Sequence, residues 1–596
     1  MMFKHKLAFA SLLVLSGCGV SREAMLALET MQILENNTKP GLSYTSVSGA
    51  GNDVTLKGIE LKAPADFMLA MAGPGADMDG AEGGDVATPL DPNAPPAVVA
   101  RAESMTFKGL TMKDGKPTVR DIRLNNITPN IPLGDVTLSL GTIGLDGMNE
   151  ATGTFIASAI GMDEALAPPP FEQWAFAKAE IGGIKLAAPI PQDEGEAGDF
   201  SIELGELSFG EFTSTRLGQA KLAGLKGAIN VPGMVDIGGM FDFGTLTASE
   251  INTGFLGKAF MAGIATGMNP EEPVDYAAIY RDVTSPLDGG IDRIDWTGMA
   301  ANVSGLKLDM SEMHAKVTRN ADGVVVASDL PRFSMKMTAD AAGGTVGAMG
   351  KMMLAMAGYD SDVIEVYSGA SASFDPVKDL TRWTDYNLGV TGMFDVKMSG
   401  GVIGLRQALP SLMTGLMSVA DMAVGEAGAT SWDGDTEGSE DESGDTEDAP
   451  PEADAEDEPA DDMFGGASPE MVMSLMMGVL PLQLTDLDIA ITDSQLMSFI
   501  LESQAAEAGQ DIAAFRADLV AMIAASSVFL TDAGVDAAIA SELAGAASAF
   551  MAGPGTLRIQ LKPKTPLGVM SAMATPLTKD NLGFTATFSP AAPAVN

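Results

Sequence analysis

From about residue 42 onward, apolar and polar positions alternate with a period of two. The clearest run is Val54-Thr55-Leu56-Lys57-Gly58-Ile59-Glu60-Leu61-Lys62, which alternates on both sides of a central glycine. The phrase returns as Met105-Thr106-Phe107-Lys108-Gly109-Leu110-Thr111-Met112. It recurs around Gly183 (Ala179 to Leu186), Gly224 (Ala220 to Leu225) and Gly305 (Ala301 to Leu308). The glycine-to-glycine spacings are 51, 74, 41 and 81, which excludes the fixed period of a propeller or regular solenoid. A glycine between two alternating halves predicts a bulge or bend, where a long strand kinks without losing its apolar face. Asp114-Gly115 predicts a hairpin joining the Met105 strand to the run Val119, Ile122, Leu124. Asn320-Ala321-Asp322-Gly323 predicts another before Val324-Val325-Val326. Further strands are expected at 136–145, 200–209, 237–247 and 390–399.

Helical periodicity interrupts this pattern. Met25, Leu28 and Met31 predict a short helix over 21–35, and Val346, Met349, Met353 and Met356 fall on one stripe of a helix at 345–358. Leu412, Met413, Leu416, Met417 and Val419 lie in another. Ser468-Pro469-Glu470 opens a third, running to Pro481, with cap, first-turn proline and early acid in order. These short apolar helices are expected to plug or line the apolar face of the sheet. The last 115 residues read as a strand at 482–491 followed by three helices. The first carries Leu496 and Ile500 inward, the second Ile512, Phe515, Leu519 and Ile523, the third Val535, Ile539, Leu543 and Phe550. A strand with Leu557, Ile559 and Leu561 on one face follows Gly553-Pro554-Gly555. The expected fold is mainly β with α insertions (α+β): a large bent antiparallel sheet or half-barrel, short apolar helices and a C-terminal three-helix cap.

The chain divides into a leader (1–17), a tether with a short helix (18–40), a β-rich region (41–425), an acidic linker (426–463) and a helical cap with closing strands (464–596), which we expect to belong to the same sheet. Residues 72–98 read as a loop. Between Asp433 and Asp462 stand 16 acids in 30 residues and no base, so self-repulsion and the lack of apolar residues forbid a core there.

Composition narrows the chemistry. The 596 residues hold 35 Lys+Arg against 80 Asp+Glu, for a net charge of −45, which argues against nucleic-acid binding. One Cys permits no disulfide framework, and 2 His permit no His-rich metal site. His314 is expected to be an ordinary strand histidine. Asp433-Gly434-Asp435-Thr436-Glu437-Gly438 partly matches a calcium loop, but Gly444 stands where a bidentate Glu is needed. Gly344 to Met352 lacks the required glycine and hydroxyl of a phosphate loop and reads as a core helix. With 4 Trp and 6 Tyr scattered, aromatic platforms for a sugar cleft are sparse. No catalytic residue, metal site or cofactor is expected. The 39 Met suit irregular apolar ligands, and Met349, Met353, Met356, Met413 and Met417 are the candidates to line a lipid groove.

The N-terminus says where such a protein works. Lys4 and Lys6 precede a short apolar run, Leu7 to Leu15, and then Leu15-Ser16-Gly17-Cys18. This closely resembles the lipobox of bacterial lipoproteins. The resemblance implies cleavage before Cys18, acylation of that residue and a stable membrane anchor. Gly19, in place of an inner-membrane retention Asp, implies sorting to the outer membrane. No other segment offers 18 clean apolar residues, so the rest of the chain is expected to be exported and soluble. Over residues 45–410 the kinked strands, apolar face and short helices resemble repeating β-groove lipid-transfer proteins of the Gram-negative envelope. The leading expectation is a non-enzymatic, lipid-anchored envelope protein whose apolar groove takes phospholipid or fatty-acid chains, or a hydrophobic envelope partner. The alternative is a structural or assembly lipoprotein whose acidic loop docks a basic envelope protein or divalent cations. A carboxylate-based hydrolase is a distant third.

Overall fold

A computed structural model describes residues 19–33, 41–63, 97–130, 136–161, 169–190, 198–231, 237–254, 283–356, 359, 361–413, 479–532, 534–574 and 577–591. Its body is one 24-stranded sheet in which every pairing is antiparallel and successive rungs follow one another in chain order. A separate two-stranded hairpin stands off it. The fold class expected from the sequence is the one observed.

The ladder begins with Gly41–Ser43 and Ser46–Ala50, both paired to Asp53–Ala63. It continues through Ala97–Lys108, Asp121–Pro129, Thr137–Asp146, Ala175–Ile190 and Gly198–Thr213. From there successive rungs are split into two collinear pieces. Leu217–Ala223 and Lys226–Val231, for example, lie against opposite halves of Gly198–Thr213. Long strands resume with Val325–Ala339, Val363–Asp375, Leu380–Val390 and Phe394–Ile403. Phe394–Ile403 pairs directly with Gln483–Asp493, so the two sides of the acidic stretch meet in adjacent strands. Gly555–Leu561 and Thr585–Pro590 complete the ladder. Among the described residues the first and last strands do not pair with each other, so the sheet is open rather than a barrel.

The splits line up into a crease. Pairing skips Gly58 opposite Glu103, Asn126 opposite Gly141, and Gly183 opposite Gly205. Gly224 continues the line between its two half-strands. A skipped residue reverses the parity of side chains along a strand. Hence Val54 and Leu56 share a face with Ile59 and Leu61, and Ala179 and Ile181 share one with Ile184 and Leu186. Gly183 sits at φ +65°, and a Cβ added there would lie 3.1 Å from the Cα of Gly141. Backbone therefore packs on backbone across the crease, which only glycine permits on both sides.

Gly58, Gly183 and Gly224 are thus bends, as expected, but the other two glycines of the recurring phrase are not. Gly305 is the second residue of a two-residue hairpin with Ser304 between Ala300–Val303 and Leu306–Met310, and Gly109 follows a strand end. Both uses need a positive φ, so one local pattern serves bend and turn alike. Asp114-Gly115 likewise closes the small detached hairpin Thr111–Lys113/Lys116–Thr118, while the main strands on either side pair directly with each other. Asn320-Ala321-Asp322-Gly323 turns the chain as expected, with the Asn320 side-chain oxygen accepting from the backbone N–H groups of Asp322 and Val324, both at 3.0 Å.

Helices cover the two ends of the apolar face. Near the start, α1 (Arg22–Thr30) is capped by Ser21, whose hydroxyl accepts from the Ala24 N–H at 3.1 Å. α2 (Glu150–Gly161) begins at Asn149, whose side-chain Oδ1 accepts from the Thr152 N–H at 2.9 Å. Ala24, Leu28 and Met31 pack with Val54, Leu56, Ile59, Met105 and Phe107 into a fully buried core. α3 (Thr345–Met356) lies at the edge of the ladder's middle. At the far end stand α4 (Leu496–Glu507), α5 (Ile512–Asp532) and α6 (Ala537–Ala552). α6 packs Ile539 and Phe550 onto Leu557, Phe584 and Ala586 of the closing strands, and α5 lies outside it.

Two details of the cap differ from the sequence reading. Ile500 is exposed, and Leu501 with Ala505 is buried instead, because one residue rotates a helical stripe by about 100°. The other concerns α5, which holds no run of 18 clean apolar residues, as the sequence reading has it, but is by length and average composition apolar enough to cross a membrane, with none of its most apolar window buried. Arg516 and Asp518 break the apolar run near its start without offsetting the apolar average.

Candidate functional site

Cross-strand register carries the apolar face from one covered end to the other. Leu124 opposes Ile143, Ile143 opposes Ile181, and Ile181 opposes Leu207. On the other side of the crease Leu138 opposes Leu186, which opposes Ile202. Further along come Leu222 against Leu246, Leu246 against Trp296, and Trp296 against Met313. Met337 opposes Leu308 and Ile364, and Met398 opposes Ile489. Phe176 stacks on Phe212 with centroids 4.8 Å apart, and Phe243 lies against Trp296 at 4.6 Å.

What changes along this face is its cover. Under α1 and α2, Phe107 is 0% exposed. Past α2, the same face is only half-buried through Ile181, Ile184, Leu186, Ile202, Leu204 and Leu207, and Ile143 and Met335 are each 38% exposed. Cover returns at Leu557 under α6. The middle of the sheet thus offers a continuous, partly solvated apolar surface between two closed ends.

The opposite face is polar and paired. Arg123 reaches Asp146 and Glu180, both at 2.9 Å, and Lys178 bridges Glu180 to Glu206, which Lys221 holds at 2.7 Å. The Lys221 ammonium and the Ser208 hydroxyl hold Glu206 below the usual carboxylate range. Arg558 does the same for Asp488. Arg319 grips Asp288 and Asp292 at 2.9 and 2.6 Å. His314 lies on this face, exposed, with Nδ1 2.8 Å from Asp295. That carboxylate, and Glu312 beyond it, raise its pKa. It is the ordinary strand histidine the sequence suggests. Tyr367 donates to Asp395 at 2.5 Å beneath the Arg332 guanidinium, and burial followed by that bond pushes its hydroxyl up to about 12.

One carboxylate is less well served. Asp379 accepts no well-formed side-chain hydrogen bond, the Arg406 Nε stands 3.7 Å away, and burial pushes its pKa up. Among the described residues no group of three or more His, Cys, Asp or Glu is placed to hold a metal ion. A cleft of about 950 Å³ opens beside Lys113, Asn149 and Phe155, and another of about 410 Å³ is lined by Leu138, Leu186 and Ile202 of the apolar face together with Lys185 and Glu203.

The methionine candidates are placed unevenly. α3 meets the apolar face through Gly350, beside Leu306 and Ala339, and buries Leu354. Met349 and Met353 project away from the sheet, 55% and 65% exposed, so α3 is no core helix and its methionine stripe does not lie between helix and sheet. The physical reason is the glycine side, which allows the closest approach and takes the inner position. Met413 is half-buried at the end of the helix 405–413. The Met356 side chain, Met417, Cys18, the helix opened by Ser468 and the acidic stretch with its calcium-like loop lie outside the described residues. The sequence did not single out Ile184, Leu204, Ile202 or Trp296 as groove residues. Their alternation is visible, but which stretch goes uncovered is not.

A protein family described only as "Uncharacterized protein" matches residues 387–587, the last strands of the ladder and the helical cap. No curated protein and no solved structure matches the chain.

Proposed function

We propose that the chain is a lipid-anchored protein of the Gram-negative envelope, held to the outer membrane through Cys18, that binds acyl chains on the bare middle of its apolar face. The observation that carries this reading is the change of cover along one continuous surface. A sheet face kept apolar over this many strands is normally buried, because each exposed apolar side chain forgoes about 1.5–3 kcal/mol of transfer free energy. A ligand of phospholipid or fatty-acid type restores that burial without requiring directional polar groups. The carboxylates are engaged on the other face in cross-strand ion pairs, which supports a binder rather than an enzyme. The lipobox resemblance supplies the compartment in which such ligands occur.

The test is native mass spectrometry, with organic extraction, of the Cys18→Ser chain produced in the periplasm, so that any lipid detected is held by the fold. Stoichiometric phospholipid or fatty acid is expected. Ile184→Glu with Leu204→Glu, which places two carboxylates opposite each other on the bare face, is expected to fold and to lose the load. A lipid-free mass from folded wild-type sequence overturns the reading and leaves the structural role, with the acidic stretch as a docking loop.

A further inference from the structure

The helix α5 presents apolar side chains on the side that faces away from the protein. Phe515, Leu519 and Ile523 are half-buried towards α6, as an ordinary amphipathic helix would have them. The outward stripe, however, runs Ala521, Met522, Ala525, Val528 and Phe529, all exposed, with Phe529 at 73%. Asp518 and Asp532 stand at its two ends, and the 13 residues from Leu519 to Thr531 carry no charge in a chain of net −45. Two ordinary explanations for so apolar a helix do not apply. A core helix would be buried, and no residue of this one is. A signal sequence would lie at the N-terminus, whereas α5 begins at Ile512.

We infer that this outward stripe docks onto a zwitterionic lipid bilayer, with α5 lying in the plane of the membrane surface and still packed on α6. The occupant is chosen by charge and shape. Asp518 and Asp532 cap the stripe, and exposed Glu502, Glu507 and Asp511 lie close by, so an anionic leaflet or an acidic partner is repelled. The one nearby base, Arg516, is turned to the carbonyl of Ala552 at 3.3 Å and to Ser498 at 3.4 Å. An uncharged stripe with Phe, Val and Met at its centre matches the shallow apolar layer beneath neutral headgroups. The site is separate from the acyl-binding face: α6 lies between it and the sheet.

The experiment is co-sedimentation of the Cys18→Ser chain with phosphatidylcholine vesicles and, in parallel, with vesicles rich in phosphatidylglycerol. Binding to the first is expected, with weaker binding to the second and no loss of the first at high salt. Val528→Glu with Phe529→Glu is expected to weaken binding by about tenfold or more, as two inserted apolar groups become charges. Its circular dichroism and its lipid load by native mass spectrometry should be unchanged, which separates this result from the fate of the acyl-binding proposal. Met522→Gln, a milder change, should weaken binding less. No sedimentation of the folded chain with phosphatidylcholine overturns the inference, as does equal binding by the double variant or a preference for anionic vesicles. So does a dimer, without vesicles, that the double variant abolishes, since a second copy would then be the occupant.

Discussion

The first strands and the middle strands of this sheet are built from the same phrase and live in different environments. Val54-Thr55-Leu56 and Ile184-Lys185-Leu186 alternate alike, and both adjoin a glycine at positive φ on the crease. Leu56 is fully buried beneath α1 and its neighbours, whereas Ile184 and Leu186 are half-exposed. The difference lies in what a helix brings to the face rather than in the strand. At one end the apolar surface contributes to folding, and in the middle the same surface stays partly solvated.

That comparison can be broken by mutation. Phe107→Ala, in the covered end, should cost about 3–5 kcal/mol by urea titration, because it leaves a cavity in a closed core. A loss below about 1 kcal/mol would mean the end is as open as the middle. Gly183→Val, on the crease, should cost about 1–3 kcal/mol, since a β-branched residue at φ +65° also drives a Cβ onto Gly141. Leu204→Ala, in the bare middle, should cost only about 1 kcal/mol and leave no cavity, yet reduce the lipid load.

Asp379→Asn sharpens the electrostatic side. Burial raises the folded pKa of Asp379 above its unfolded value, so the wild-type carboxyl favours folding when protonated and loses that advantage as pH rises through the folded pKa. Asn, which also tolerates the positive φ there, should therefore raise the thermal midpoint slightly at neutral pH, with the gap closing near about pH 4. Smallest of all, a double-mutant cycle on Arg123 and Glu180 should give a coupling of about 1 kcal/mol or less that salt weakens, since the arginine side chain is 41% exposed.

Much of the architecture was legible in the alternation. Gly58 and Gly183 announce bends because the apolar parity reverses across them, and Asp536 or Ser21 cap helices where apolar periodicity starts. Three things were not legible. Gly305 and Gly58 share a phrase, and only the pairing partner decides between turn and bend. The methionines of α3 form a stripe, but the glycines opposite win the sheet because backbone can approach more closely there. The outward face of α5 is as apolar as its inward one, and periodicity reports which residues align, never which side is covered.

Because each rung of the main ladder, whole or split, pairs only with the rungs before and after it, the sheet can be assembled in chain order. The segment ending near residue 161 closes its own core before the next strand arrives, and its last strand then serves as a template for Ala175–Ile190, and so on rung by rung. Apart from the join of Phe394–Ile403 to Gln483–Asp493 across the acidic stretch, such a molecule mostly brings neighbouring parts of its sequence together, which keeps loop-closure entropy small and folding local. It also leaves, at every stage of assembly, one growing edge able to pair with a neighbour's. A chaperone that shields that edge until Thr585–Pro590 has been laid down would therefore matter more to this protein's yield than to that of a globular domain of the same size.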